Sequence, residues 1–207
     1  DSIRLSGSAT GKIAGSDGND TLDFDGKVSG SVIRGDGDDD VLTFASRFDS
    51  STVYGGKGED SFLLSNIVDT AKVFGDDGDD TINIAGTTTF DKSTIHGSAG
   101  EDSIGIAAGA TGTSNIYGGK GKDTILLTST AKFTVSGDND ADVIDVAGVS
   151  LGATAYGGDG TDSITNTGNG KTVFFGGAGK DTIKGGTGAN KLYGGKDADS
   201  LIGGAGG

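Results

Sequence analysis

The sequence predicts an all-β protein, a right-handed parallel solenoid of about ten coils with close to 20 residues each. The first observation is a glycine-aspartate segment, GSDGNDTLDF from Gly15, whose ten copies start 18 to 22 residues apart. The second is an apolar residue on either side of that segment in every copy. The third is that no stretch carries an extended helical period. A repeat of this length with two short strands is typical of one solenoid coil, and connections between parallel strands are right-handed.

Positions within each repeat are counted from its first glycine, and coil one begins at Gly15. Position six is aspartate in all ten copies: Asp20, Asp40, Asp60, Asp80, Asp102, Asp123, Asp142, Asp162, Asp181 and Asp199. Position eight is always large and apolar: Leu22, Leu42, Phe62, Ile82, Ile104, Ile125, Ile144, Ile164, Ile183 and Leu201. The residue two before the first glycine is also apolar, from Ile13 and Ile33 to Phe174 and Leu192. Each coil is therefore expected to have an incoming strand and an outgoing strand that share one core.

The second edge of the solenoid is predicted to be an irregular polar turn, because residues 45–51, 85–93 and 107–114 lack the glycine-aspartate signature. Near the C-terminus the glycines recur every nine residues, so GGTGANKLY places a glycine turn on this edge, with Asn190 at the aspartate position. We expect a single solenoid domain over residues 1–207. Within it, residues 1–14 form an opening coil, residues 15–175 carry turns on one edge, and residues 176–207 are strict nonapeptides.

Composition and charge exclude several classes of protein. The 207 residues include 42 glycines and no proline, which excludes a collagen helix. The absence of cysteine excludes disulfides and thiolate metal sites. A formal charge of -14 argues against nucleic acid or an anionic membrane as partner, and favours cations. No run approaches the roughly 18 apolar residues that span a bilayer, so we expect no membrane insertion.

The turn itself has the chemistry of a cation site. Glycines at positions one, two and four permit a positive φ and bring backbone carbonyls into a concave ring, and the aspartate adds negative charge. Turns stacked about 4.8 Å apart place carbonyls and carboxylates of neighbouring coils around common points, with roughly six oxygens each. An all-oxygen site of mixed ligands suits Ca²⁺ better than Mg²⁺ or Zn²⁺.

Four copies, GGKGEDSFL, GGKGKDTIL, GGDGTDSIT and GGAGKDTIK, fully match the nonapeptide GGxGxDxUx, so the chain resembles the RTX family over nearly its whole length. The resemblance implies a parallel β-roll with about nine Ca²⁺ ions along one edge, held by the ten position-six aspartates. It also implies carbonyl ligands from positions two and four: Gly18, Asp36, Asp38, Gly56, Gly58, Asp76, Gly78, Gly100, Gly119, Gly121, Asp138, Asp140, Gly158, Gly160, Gly177 and Gly179. Where aspartate replaces glycine at these positions, the carbonyl is kept, and either backbone strain or an additional carboxylate is expected.

An aromatic column precedes the first glycines: Tyr54, Phe74, Tyr117, Tyr156, Phe175 and Tyr193, with His96 in the same column. Because its neighbours point inward, the column is expected to point outward. It is predicted either to stabilise the sheet as a stacked ladder or to pack against another chain. His96 is expected to be a ladder member rather than a catalytic base, and no enzymatic activity is predicted.

The expected function is a calcium-binding structural segment of a secreted bacterial surface protein, in a surface layer, filament or adhesin. Without metal the aspartate row repels itself, so the chain is expected to fold and assemble on binding Ca²⁺ after type I export. Its expected partners are calcium ions and further copies or neighbouring domains. The alternative is a C-terminal secretion and folding module of an exported enzyme or toxin. An ice-binding solenoid is disfavoured because turn positions three and five vary.

Overall fold

The computed structural model describes residues 1–66, 68–85, 89–107, 109–147 and 152–206, which form 25 β-strands and no helix. In chain order the strands are β1 (Ser2–Leu5), β2 (Lys12–Asp17), β3 (Thr21–Phe24), β4 (Val28–Ser29), β5 (Val32–Gly37), β6 (Val41–Phe44), β7 (Phe48–Asp49), β8 (Thr52–Lys57), β9 (Ser61–Leu64), β10 (Val68–Asp69), β11 (Lys72–Asp77), β12 (Thr81–Ile84), β13 (Phe90–Asp91), β14 (Thr94–Ala99), β15 (Ser103–Ile106), β16 (Thr113–Lys120), β17 (Thr124–Leu127), β18 (Lys132–Asn139), β19 (Val143–Asp145), β20 (Thr154–Asp159), β21 (Ser163–Thr165), β22 (Val173–Ala178), β23 (Thr182–Lys184), β24 (Lys191–Lys196) and β25 (Ser200–Ile202). The predicted all-β class is confirmed.

Two long parallel sheets form the walls of the solenoid. The outgoing sheet has eleven strands in the order β1-β3-β6-β9-β12-β15-β17-β19-β21-β23-β25, and the incoming sheet has ten in the order β2-β5-β8-β11-β14-β16-β18-β20-β22-β24. Each coil adds one strand to each sheet, and equivalent positions pair in register, as Leu22 does with Leu42 and Ile33 with Val53. The solenoid of about ten coils with close to 20 residues each is therefore confirmed.

The core is built from the columns that the period-two pattern predicts. In β3, burial alternates, so that Leu22 and Phe24 point inward while Thr21 and Asp23 lie half-buried on the outer side. Position ten adds a second buried apolar column in coils one to seven, and there Phe24 stacks on Phe44 with ring centroids 5.0 Å apart. Inward alternation places these apolar side chains between the two sheets, where their burial stabilises the coils.

A third, four-stranded sheet of the order β13-β10-β7-β4 runs along the second edge. Its strands are two residues long, and Val28, Phe48, Val68 and Phe90 are buried. The irregular polar turn predicted for this edge is therefore wrong in these four coils, because one apolar residue per coil closes the core there. Residues 86–88 of the predicted variable segment 85–93, residue 108 of segment 107–114 and Gly207 lie outside the described residues.

The aromatic column points outward and stacks, as predicted. Ring centroids lie 5.2 Å apart for Tyr54 and Phe74, and 5.5 Å apart for His96 and Tyr117. A second run stacks Tyr156, Phe175 and Tyr193 at similar distances. The two runs are separated by one serine, which pairs in register between tyrosines of the neighbouring coils. The ladder, including His96 as a member of it, is confirmed.

Candidate metal centre

The turn backbone adopts the conformation that its glycines allow. Positions two and four have positive φ, as at Gly56 (127°) and Gly58 (118°). A Cβ at Gly58 would lie 2.6 Å from the carbonyl oxygen of Asp38 in the preceding coil, so any side chain there would need to displace a backbone carbonyl. Aspartates at these positions keep the same conformation, with φ of 85° at Asp36 and 67° at Asp38. The backbone strain expected at the aspartates is present, at about 1 kcal/mol or more each.

The position-six aspartates form one continuous row. From Asp40 onward, Oδ1 of each aspartate accepts a hydrogen bond from the backbone N–H of the position-six aspartate in the preceding coil, as Asp60 does from Asp40 and Asp80 does from Asp60, both at 2.8 Å. Nine such bonds run from Asp20 to Asp199 at 2.8 to 3.0 Å. The ladder fixes every carboxylate in the same orientation, one coil above the next.

The other carboxylate oxygen of the row is buried without a hydrogen-bond partner. This holds for Oδ2 of nine aspartates within the described chain: Asp20, Asp40, Asp60, Asp80, Asp102, Asp123, Asp142, Asp162 and Asp181. Each Oδ2 packs against the first glycine of its own turn, where an added Cβ would overlap it, as at Gly75 and Asp80. A buried carboxylate oxygen without a donor is energetically costly, so a row of them points to a bound cation.

Burial raises the pKa of eight carboxylates of this row, from Asp40 to Asp181, and the charges of neighbouring aspartates raise it further, while the ladder hydrogen bonds oppose the shift. The pKa is raised to about 8 for Asp80, to about 7 for Asp60, Asp123 and Asp142, and to about 6 for Asp102 and Asp162. The pKa values of Asp40 and Asp181 are also raised. Among the described residues, no Lys or Arg side chain forms an ion pair with the carboxylates of this row.

Backbone carbonyls of the turn point along the solenoid axis. The position-four carbonyl of Asp38 faces position four of the next coil. Position-three carbonyls instead accept backbone hydrogen bonds, as Asp77 O does from Gly58 N at 2.9 Å. No three His, Asp or Glu side chains of the described residues converge on one point. A cation site here must therefore combine carboxylates of the row with carbonyls between the turns, because carboxylates alone lie one coil apart.

One turn of the same sequence pattern is held by an uncharged asparagine side chain instead of an aspartate. Asn190 occupies position six of the turn that begins at Gly185, and its Nδ2 donates hydrogen bonds to Gly186 O at 3.1 Å and Gly188 O at 2.8 Å. Its Oδ1 accepts from Asn166 Nδ2 at 3.3 Å and from the Thr172 hydroxyl. A position-six side chain thus reaches the position-two and position-four carbonyls of this turn. Both the oxygen and the nitrogen of the Asn190 amide have hydrogen-bond partners, whereas Oδ2 of the buried aspartates has none.

The sequence analysis missed one member of the row. Asp1 precedes β1, its carbonyl accepts from Thr21 N at 3.0 Å, and its amino group lies 2.6 Å from Asp20 Oδ1. It therefore takes the position-six place one coil before Asp20. The signal was present, because Asp1-Ser2-Ile3 repeats the pattern aspartate, hydroxyl residue, apolar residue, and Ser2 pairs in register with Thr21.

These oxygens fit Ca²⁺. The row supplies only hard oxygen donors, with one unpartnered buried oxygen in each coil from Asp20 to Asp181. Calcium prefers six to eight such ligands, including carbonyls, and tolerates irregular geometry. When bound, it would supply the positive charge that the buried carboxylates lack. The predicted ligands at positions two and four remain a prediction, as does the expected number of about nine ions.

A model of the RTX calcium-binding nonapeptide repeat matches residues 106–128 and 175–207, in four copies. Neither the curated proteins nor the solved structures include a match to this chain. No helix of the described residues is long and apolar enough to cross a membrane. The matched segments contain Asp123, Asp181 and Asp199 of the aspartate row, so the family match and the geometry coincide. These two segments thus carry the RTX calcium-binding repeat, and the aspartate row continues through the coils that precede and separate them.

Proposed function

We propose that this chain is a calcium-dependent structural segment of a bacterial surface protein, in a surface layer, filament or adhesin. RTX repeats are structural calcium-binding units of secreted bacterial proteins rather than catalytic domains. The buried aspartate row carries the proposal. Its unpartnered Oδ2 atoms run through nine successive coils, so the requirement for cations extends along the solenoid rather than being confined to one end.

Metal binding and folding are coupled in this arrangement. Each carboxylate is oriented by a backbone N–H of the preceding coil, so the row exists only when the coils are stacked. In the unfolded chain the same carboxylates are solvated and separated. Cations that bind the stacked row therefore stabilise the folded state selectively, and their binding free energy becomes folding free energy.

The free energy that calcium binding contributes to folding suits a protein that folds outside the cell. Extracellular calcium modules bind with dissociation constants of about 10⁻⁴ to 10⁻³ M. Calcium at ten times the dissociation constant stabilises a folded site by about 1.4 kcal/mol. With about nine sites, the sum is comparable with the roughly 5 to 15 kcal/mol that stabilise a whole domain. At cytoplasmic calcium levels this contribution disappears, which keeps the chain export-competent.

Circular dichroism and calorimetry of the chain with and without a calcium chelator test the proposal. With millimolar-range Ca²⁺ we expect a β-rich spectrum and one cooperative melting transition. Both should be lost in chelator and not restored by Mg²⁺, which requires tighter octahedral geometry. An equally β-rich spectrum and the same melting temperature in chelator would contradict calcium-dependent folding.

The surface role requires a second measurement, because a secretion module of an enzyme or toxin would fold on calcium in the same way. Electron microscopy of cells that display the native protein should reveal an ordered lattice or filaments that disappear on chelation. A calcium-folded chain without such assemblies, attached to a catalytic domain in its precursor, would support the secretion module instead.

A further inference from the structure

The outward face of the outgoing sheet has an uncharged stretch in the middle of the solenoid. Its residues occupy positions seven and nine of the strands, and we call the following set the uncharged face: Val41, Thr43, Ser61, Leu63, Thr81, Asn83, Ser103, Gly105, Thr124, Leu126 and Val143. Asp23 and Asp145 flank it at the two ends. Over the same coils, the outward face of the incoming sheet carries Arg34, Asp36, Lys72, Asp76 and Asp138.

Large aliphatic side chains stand exposed on this face. Val41 is 45% exposed, Leu63 41%, Leu126 43% and Val143 46%. A trough of about 360 Å³ lies between the two leucines and includes Gly105 in its lining. Asn83 bends over that glycine, since a Cβ there would lie 2.7 Å from Asn83 Oδ1. The two leucines therefore stand on either side of a lower centre at Gly105, on a chain of formal charge -14.

The four aliphatic residues are arranged with approximate two-fold symmetry. Val41 and Val143 both occupy position seven, in coils two and seven. Leu63 and Leu126 both occupy position nine, in coils three and six. Reversing the order of the coils therefore reproduces the pattern. An axis parallel to the strands, between coils four and five, places Val41 of one copy over Val143 of another, and Leu63 over Leu126. An interface between two identical copies requires this self-complementarity.

We propose that the uncharged face docks a second copy of this chain, sheet against sheet, about this two-fold axis. The two-fold pattern supports a second copy as the occupant, because the same four aliphatic residues then meet from both sides. Two chains of formal charge -14 repel each other, and the eleven residues of this face bring no carboxylate into the contact, although the same axis places Asp145 of each copy over Thr43 of the other. The inference deepens the proposed structural role, since it rests on the calcium-loaded solenoid and names the surface through which it assembles.

The size of the face indicates a weak contact. Six coils at about 4.8 Å and four residues at about 3.3 Å give a footprint of about 29 by 13 Å, or roughly 400 Å² per copy. A stable dimer buries about 800 Å² per partner. A contact of half that size holds copies together when many such contacts act at once, as on a crowded cell surface.

Sedimentation equilibrium of the calcium-loaded chain tests the contact, at about 20 to 500 µM protein. We expect a weak dimer whose association strengthens as salt is raised from about 0.05 to 0.5 M, because salt screens the repulsion between like-charged chains. Leu63→Lys and Leu126→Lys should each weaken dimerisation by about tenfold or more, and the double variant should remain monomeric. The matched control is Thr165→Lys, at position nine of coil eight outside the uncharged face, which should dimerise as the wild type does.

Two further measurements separate the outcomes. Calcium-loaded circular dichroism of every variant distinguishes folding from docking: no β-structure with calcium contradicts the proposed function, whereas a folded wild type that stays monomeric overturns only the docking surface. The docking surface is also overturned if the double lysine variant dimerises normally.

Replacing Tyr117 and Tyr156 with Ser tests the aromatic column. This double substitution should lower the melting temperature and leave dimerisation unchanged. Loss of dimerisation in this variant would move the contact to the incoming sheet.

Discussion

Two consecutive nonapeptides, residues 176–184 and 185–193, share glycines at positions one, two and four and carry Asp181 and Asn190 at position six. In the first, Asp181 has one oxygen in the ladder, 2.9 Å from Asp162 N, and one buried oxygen without a partner. In the second, Asn190 donates to the carbonyls of Gly186 and Gly188 and accepts two hydrogen bonds. Each side chain packs against the first glycine of its turn. The exchange of one oxygen for an NH₂ group thus decides whether the turn is complete by itself or requires a cation.

Without metal, the aspartate turns contain a buried carboxylate oxygen that has no hydrogen-bond donor, and the asparagine turn does not. Burial raises the pKa of Asp181, and the carboxylates at Asp199 and Asp197 raise it further. Asn190 carries no charge, and its partners on the second edge include Asn166 and Thr172. The comparison predicts that substitutions in the two kinds of turn respond to calcium in opposite directions.

The largest effect is expected for Asp123→Asn in the middle of the row. The amide keeps the Oδ1 that accepts from Asp102 N at 2.9 Å, but it removes the charge from the two spaces on either side of this turn. We expect the calcium-loaded chain to lose about 3 kcal/mol of unfolding free energy, about 1.4 kcal/mol for each of two weakened sites. Calorimetric titration should give up to two fewer ions per chain. As calcium is lowered toward the concentration at which the wild type unfolds, this loss should shrink, because the variant has no buried unpaired carboxylate at this position. Unchanged ion stoichiometry would contradict the role of the row.

Asn190→Asp makes the reciprocal change and should cost about 2 to 3 kcal/mol of unfolding free energy at the lowest calcium concentration at which the wild type stays folded. It removes two donated hydrogen bonds and places a carboxylate oxygen against the carbonyls of Gly186 and Gly188. Higher calcium should recover part of the loss and bind with one additional ion per chain. Chemical denaturation at several calcium concentrations measures both effects. Asn169→Asp is the matched control, since Asn169 is exposed one coil away. A loss that calcium does not reduce would indicate that this turn cannot hold a cation.

The smallest effect is expected for Thr172→Val, which removes the hydroxyl that donates to Asn190 Oδ1 and accepts from Asn166 Nδ2. The cost should be about 1 to 2 kcal/mol of unfolding free energy, the net contribution of two hydrogen bonds. Because no aspartate of the row contacts this hydroxyl in the described structure, the stability difference from wild type should be unaffected by the calcium concentration. Denaturation curves at several calcium concentrations provide the measurement. A difference that grows with calcium would couple this turn to the aspartate row.

Local sequence was sufficient for features that recur in every coil. Asp60 and Phe62 are predictable because the same residues stand at the same spacing in the other copies, and register then follows from hydrophobic alternation. The strands of the second edge were harder to predict, because Phe48 and Phe90 belong to the same buried column but lie in segments of different length. The apolar signal there is one residue per coil, too short to have a period of its own.

Long-range partners were not predictable from the repeat. Asn190 was expected at the aspartate position, but its contacts with Asn166 and Thr172 join residues 24 and 18 positions away. The role of Asp1 was also missed, because it stands outside the ten glycine copies and is recognised by the register of Ser2 with Thr21. Contacts of this kind depend on which coils stack, and the stacking is a property of the whole solenoid.

The sequence by itself determined the repeat, the all-β class, the inward columns and the row of aspartates, because a 20-residue period forces equivalent residues into equivalent places. Tertiary structure alone decided which oxygens stay unpartnered. Oδ1 of Asp80 is satisfied by the N–H of Asp60 and Oδ2 is buried with no donor, a difference that exists only when one coil lies on the next. It also decided that Leu63 and Leu126 share an uncharged face, since residues 63 positions apart line one trough only because their strands are stacked in parallel.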